Sequence, residues 1–191
     1  VPVGTPLEAE LKAKATIKVE DKITTDHIMP AGARLKFRSN IPVYAKYVFE
    51  PCDPQFHDKA LANKAAGFGN VIIAGESYGQ GSSREHAALC PMYLGVRAII
   101  AKSIERIHNA NLINFGIVPF VFADTAAYDG IDAEDELVFE KLSEAIAADG
   151  CVTVRNLTKG TSFVVQAKLT ERQKAILAAG GLMRFIANGN A

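Results

Sequence analysis

Residues 71–91 read VIIAGESYGQGSSREHAALCP, so an apolar run, a glycine-rich turn and a helix start follow one another without a gap. This confines the chain to folds in which a buried strand feeds a helix through a tight corner. Val71, Ile72, Ile73 and Ala74 form a short, mostly β-branched run bounded by Gly75, which predicts a buried strand. Gly75, Gly79 and Gly81 tolerate positive φ and let another group approach the backbone closely. Ser82 and Glu85 stand in S-x-x-E spacing before Ala87, Ala88 and Leu89, which predicts a capping box at a helix N-terminus. Ser82, Ser83 and Arg84 would then lie where unpaired N–H groups and the helix dipole favour an anion. A bare S-x-x-E more often opens an ordinary helix, but three glycines, paired serines and an arginine on one corner favour an anion site. The stretch contains no G-K-[ST] of a nucleotide P-loop and no G-x-S-x-G of a hydrolase elbow.

The elements after this corner suggest a parallel arrangement. Val96–Ala101 reads as a strand, and Ser103–Asn114 as a helix with Ile104, Ile107 and Leu112 on its apolar side. Ile117–Phe122 reads as a third strand, with Pro119 implying an edge or a bulge. Strand, helix, strand, helix, strand predicts an α/β fold with a mostly parallel sheet, whose ligands sit beyond the strand carboxyl ends. Lys102, Ser103 and Arg106 follow the second of these strands, where structural or solvated roles are expected.

Further on, strands are expected at Glu136–Glu140, Cys151–Asn156 and Ser162–Leu169, with a helix at Leu142–Ala148 and a hairpin across Lys159-Gly160. Thr170 and Gln173 form a second box opening a final helix, with Ile176, Leu177, Met183, Phe185 and Ile186 as its core side and a break at Gly180-Gly181. Before the corner, residues 1–12 read as a linker or arm, and residues 13–191 as one domain. Ile17 and Val19 mark a strand, and a polar loop over 21–38 carries Asp26, His27 and Arg38. Residues 39–70 read as an irregular loop with a helix around Asp58–Ala65. His27 and His86 are expected to satisfy loop backbone groups, while His57 and His108 have no assigned partner.

Lys plus Arg and Asp plus Glu are each 21, so no overall basic field exists to attract nucleic acid or a membrane surface. No apolar run has the ~18 residues of a membrane span, and no signal peptide is evident. A cytoplasmic or mitochondrial-matrix location is expected. Cys52, Cys90 and Cys151 are widely spaced, with no C-x-x-C pair, so free thiols are expected and no metal ligands are assigned. An iron–sulfur cluster needs several closely placed thiolates, so any such cluster would be held elsewhere. Val1 as first residue is expected of a processed chain or an excised piece of a longer one.

GESYGQGSSREHAALCP, followed by LGVRAIIAKSIERIHNANLINFGIVPFVFAD and read with TTDHIMPAGARLKFR upstream, closely resembles the C-terminal swivel domain of the aconitase family. The resemblance spans roughly residues 15–124. It implies a swivelling three-layer β/β/α domain and a hydro-lyase that interconverts citrate and isocitrate through cis-aconitate. It further implies that Ser82 is the catalytic base and that Arg38, Ser83, Arg84 and Asp26 contact a tricarboxylate, with His27, Glu85 and His86 in support. In the family a [4Fe-4S] cluster acts as the Lewis acid. With no thiolate set in this chain, the cluster would be carried by another domain or a large subunit, and the chain alone would be inactive. Met29-Pro30 departs from many aconitases, which have a serine at the position of Met29, and is nearer to isopropylmalate isomerase small subunits. An isopropylmalate or homoaconitate isomerase is therefore the alternative, and an RNA-binding regulatory module a third reading that the zero net charge opposes.

Overall fold

The computed structural model describes residues 2–190, so Val1 and Ala191, the outer limits of the expected arm and domain, lie outside the described residues. The described elements are β1 (Leu11–Lys18), α1 (Thr25–Ile28), α2 (Ile41–Tyr44), α3 (Phe56–Ala65), β2 (Gly69–Ala74), α4 (His86–Tyr93), β3 (Val96–Ala101) and α5 (Arg106–Asn114). After them come β4 (Val118–Phe122), β5 (Glu136–Phe139), α6 (Leu142–Ala147), β6 (Cys151–Asn156), β7 (Thr161–Gln166), α7 (Glu171–Ala179) and α8 (Leu182–Ala187).

The strands close into a barrel in the order β1-β2-β3-β4-β7-β6-β5. β1, β2, β3 and β4 run parallel to one another. The other four pairings, β4 with β7, β7 with β6, β6 with β5 and β5 with β1, are antiparallel. The mostly parallel sheet expected from the central strand–helix repeat is thus corrected to a mixed α/β barrel. Its origin lies in two kinds of strand. β2 and β3 are apolar almost throughout, because helices cover one face and the barrel interior the other. β6 alternates exposed and buried at every residue, the pattern of an antiparallel strand with one wet face. Pro119 is tolerated because β4 pairs with β7 only through Val121 and Phe122.

Two cores result. Val71, Ile73, Ala98, Ile100, Phe120 and Phe139 belong to one, and Ile72, Ala74, Ile99 and Ala101 to the other, which packs against α1–α4. β1 crosses between them. Ala13 and Ala15 lie in the first core and Ile17 and Val19 in the second, although all four share parity. The register shift between Ala15 and Ile17 supplies the extra residue that exchanges the faces. The final helical region breaks at Gly180 and Gly181, both at positive φ, and Thr170 with Gln173 forms the expected capping box. Phe185 is buried there, but Met183 and Ile186 are exposed, as is Ile107 of α5, and none of these three joins the core as expected.

Asn70 on β2 is fully buried and joins three elements. Its amide donates to Ala60 O and Leu94 O, and its carbonyl accepts from Thr16 Oγ1 and Asn63 Nδ2. His108 of α5 is buried beneath Gly79, where a Cβ would sit 2.5 Å from the imidazole, and burial pushes its pKa down to about 4. Asn70→Ala is expected to cost about 3 kcal/mol of unfolding free energy in urea, because buried donors and acceptors lose their partner; a loss under about 1 kcal/mol would contradict this network. For His108 the folded pKa lies below the unfolded value of about 6.5, so stability is full above that pH and is lost as pH falls toward 4. The loss is expected to reach ~3 kcal/mol, and His108→Phe should flatten the pH profile in that window; parallel profiles for both proteins would refute the assignment.

Candidate active site

Parallel neighbours release their following loops at one rim, so the segments after β1, β2 and β3 converge there. Short pairings extend the sheet into these loops, Thr24 with Gln80 and Tyr78 with Ile104. Gly79 N and Gln80 N both donate to Ile23 O, and Thr25 N donates to Gln80 O. On the other side Tyr78 N donates to Ser103 O, and Glu105 N donates to Tyr78 O. Gly79 and Gly81, at φ +91° and +93°, take backbone conformations that an L side chain rarely adopts.

This stitching brings the predicted residues together. Arg84 Nη1 donates to Asp26 Oδ1 at 2.7 Å across 58 positions of sequence. Thr25 Oγ1 donates to Ser82 O at 2.9 Å. His86 Nε2 donates to Arg38 O at 2.8 Å, so the histidine at the start of α4 anchors the segment that carries Arg38. His27 Nδ1 accepts from Thr24 N at 2.9 Å and closes a capping box on α1. Both histidines therefore engage loop backbone, as expected.

Ser82 and Glu85 do not form the predicted capping box. α4 begins at His86, its N-cap Glu85 is already in the right-handed helical region, and no side chain caps it. The chain spends residues 81–85 reaching the neighbouring loop, so the helix starts one turn late. The Ser82 hydroxyl is consequently free of protein partners among the described residues and stands exposed, as does the Arg38 side chain. The Glu85 carboxylate also has no hydrogen-bond partner among them and does not support Ser82. Met29 is fully buried in the core. It cannot contact a ligand at this rim.

Several contributors are invisible to motif reading. Tyr44 packs its ring 5.4 Å from that of His86 and donates to Pro30 O at 2.9 Å, and burial raises its phenol pKa. Asn111 of α5 donates to Ser83 Oγ at 3.2 Å. Ser103 Oγ accepts from Ser77 N, and Lys102 lies over the Tyr128 ring, both structural roles. Arg106 borders an open depression with Gly79, Gly81 and Ser83, and a neighbouring groove is lined by Arg38, Ile41, His86, Leu89, Asn111 and Phe115 among others. One signal was available in sequence: His108 and Asn111 stand at i, i+3 and so share a helix face.

The residues present do not fit an iron–sulfur cluster. Cys52, in the turn before α3, and Cys151, on β6, are exposed, and Cys90 is buried in α4 with its thiol pushed up to about 12. No group of three or more His, Cys, Asp or Glu among the described residues is arranged to hold a metal ion. None of the described helices is long and apolar enough to cross a membrane.

Residues 39–125 match the family described as the aconitase C-terminal domain. The chain is 42% identical to the 3-isopropylmalate dehydratase small subunit 2 of Archaeoglobus fulgidus, over 88% of this chain and 90% of that protein. It is 36% identical to the mitochondrial aconitate hydratase of Gracilaria gracilis over 77% of this chain, which is 21% of that protein. The chain thus spans about a quarter of the length of the aconitate hydratases it matches. The crystal structure of 3-isopropylmalate dehydratase from Methanocaldococcus jannaschii superposes with a TM-score of 0.75 at 29% identity, covering 94% of this chain and 95% of that one. With the fold, the SSREH corner and these relatives in agreement, the chain belongs to the aconitase family, as a domain of its C-terminal, small-subunit type.

Proposed function

We propose that the chain supplies the proton-abstracting and carboxylate-gripping half of a split hydro-lyase site, acting on citrate and isocitrate through cis-aconitate. The observation that carries this reading is the Asp26–Arg84 contact, which unites the two loops bearing Ser82, Ser83, Arg84 and Arg38. Arg38 and Arg84 offer planar forks suited to carboxylates. The Arg84 guanidinium is partly committed to Asp26, whereas the Arg38 guanidinium has no partner among the described residues.

Ser82, as alkoxide, removes the carbon-bound proton, and hydroxide leaves the adjacent carbon to form the double bond; readdition of water in the opposite sense gives the isomer. An exposed hydroxyl does not ionise readily, so its pKa must fall in a water-poor, electropositive setting. Closure of a partner against this rim would supply that setting. The partner is a set of cluster-bearing domains in the same polypeptide or a large subunit, and the [4Fe-4S] cluster belongs to it. The small-subunit relative of nearly equal length supports a two-chain arrangement. It also favours a second reading, an isopropylmalate substrate. Met29 itself lies in the core, so it does not discriminate between substrates by direct contact.

The chain alone is expected to show no hydration of cis-aconitate, and assembly with the cluster-bearing partner to restore it. In the assembled enzyme Ser82→Ala should lower kcat by about 10²–10⁴-fold with little change in KM. A pure KM effect would move Ser82 from base to binding group, and turnover of isopropylmalate in preference to citrate would replace the substrate assignment.

A further inference from the structure

We infer that Asn111 is a positioning residue that fixes the direction in which Ser83 donates a hydrogen bond. This rests on the functional reading above. Asn111 Nδ2 donates to Ser83 Oγ at 3.2 Å, so one lone pair of the hydroxyl is filled from α5. The hydroxyl hydrogen cannot point at a donor, and it turns away from α5. Ser83 then serves as a donor, the role that a carboxylate, which only accepts, requires.

Two further observations place this contact at the site. Asn111 lines the groove that also holds Arg38, Glu85 and His86, while Ser83 lines the adjoining depression with Gly81 and Arg106. The Asn111–Ser83 bond joins the linings of the two. A carboxylate on the depression side of Ser83, which Arg106 also borders, therefore meets the hydroxyl hydrogen that Asn111 has turned away from itself. The helix is also well placed to aim the serine, because it touches the same loop at a second point. His108 precedes Asn111 by three residues on the same face, and its ring lies against the Gly79 backbone. Glu105 N, just before the helix, donates to Tyr78 O and holds the loop from its other end. The serine loop is thus registered on α5 rather than on its own helix α4.

A double-mutant cycle in the assembled enzyme tests this, with citrate as substrate. Asn111→Ala should raise KM about tenfold with kcat within about threefold of wild type, the loss of one oriented hydrogen bond to a charged group. In a Ser83→Ala background the same change should have no further effect. Asn111→Asp should be worse than Asn111→Ala when Ser83 is present, since a carboxylate draws the hydroxyl hydrogen to itself. Part of that excess must vanish when Ser83 is absent. Equal effects of Asn111→Ala with and without Ser83 would overturn the proposal. Ser82→Ala is run beside the cycle, and its failure to impair turnover would discredit the hydro-lyase reading itself. A readout independent of activity is the Asn111 side-chain amide resonance in the chain alone. It is expected to shift on Ser83→Ala but not on Ser82→Ala, and an unmoved resonance also overturns the proposal.

Discussion

Ile23 O accepts two backbone N–H groups, from Gly79 and Gln80, and the rest of the rim depends on this one junction. It prolongs the β1–β2 pairing by a few residues past the point where the strands end. Asp26 follows three residues after Ile23, and Ser82 three after Gly79, so the junction sets their distance before any side chain interacts. The close packing of Gly79 on His108 belongs to the same constraint. A side chain at position 79 would push the loop off α5 and pull the junction apart.

The groups that hold this site differ from the groups left available for chemistry. Backbone carbonyls of Arg38, Ser82 and Tyr78 take the structural hydrogen bonds, from His86, Thr25 and Glu105. The Ser82 hydroxyl and the Arg38 guanidinium are spared. The Asp26–Arg84 ion pair that joins the two loops is partly exposed, with Asp26 more so than Arg84, and a pair of that kind adds little stability by itself. It holds the guanidinium in one direction and leaves it further donors after Asp26 has taken one.

The central strands and helices were legible because they carry strong local signals. Val96–Ala101 and Cys151–Asn156 have the limits that periodicity gave them. Barrel closure was not legible, since it depends on β1 pairing with β5 and β4 with β7, contacts between segments distant in sequence. The motif identified the residues of the rim, but local rules misjudged their use. S-x-x-E spacing at Ser82 and Glu85 predicts a cap that the loop's outward pull prevents, while T-x-x-Q at Thr170, under no such pull, forms as its spacing demands. Asn111 was legible only as the neighbour of His108 on one helix face, because what that face meets is undefined until the opposing loop is in place.

Closure of the sheet has a consequence for how the domain meets other proteins. An open sheet offers its edge strand to any passing chain, and such an edge invites extension and aggregation. Here β5 satisfies β1 on one side and β7 satisfies β4 on the other, so the described sheet ends nowhere. Adhesion by strand addition is closed off. What the rim can present to a neighbour is a set of loops and side chains, surfaces that can separate and rejoin without breaking a ladder of backbone hydrogen bonds.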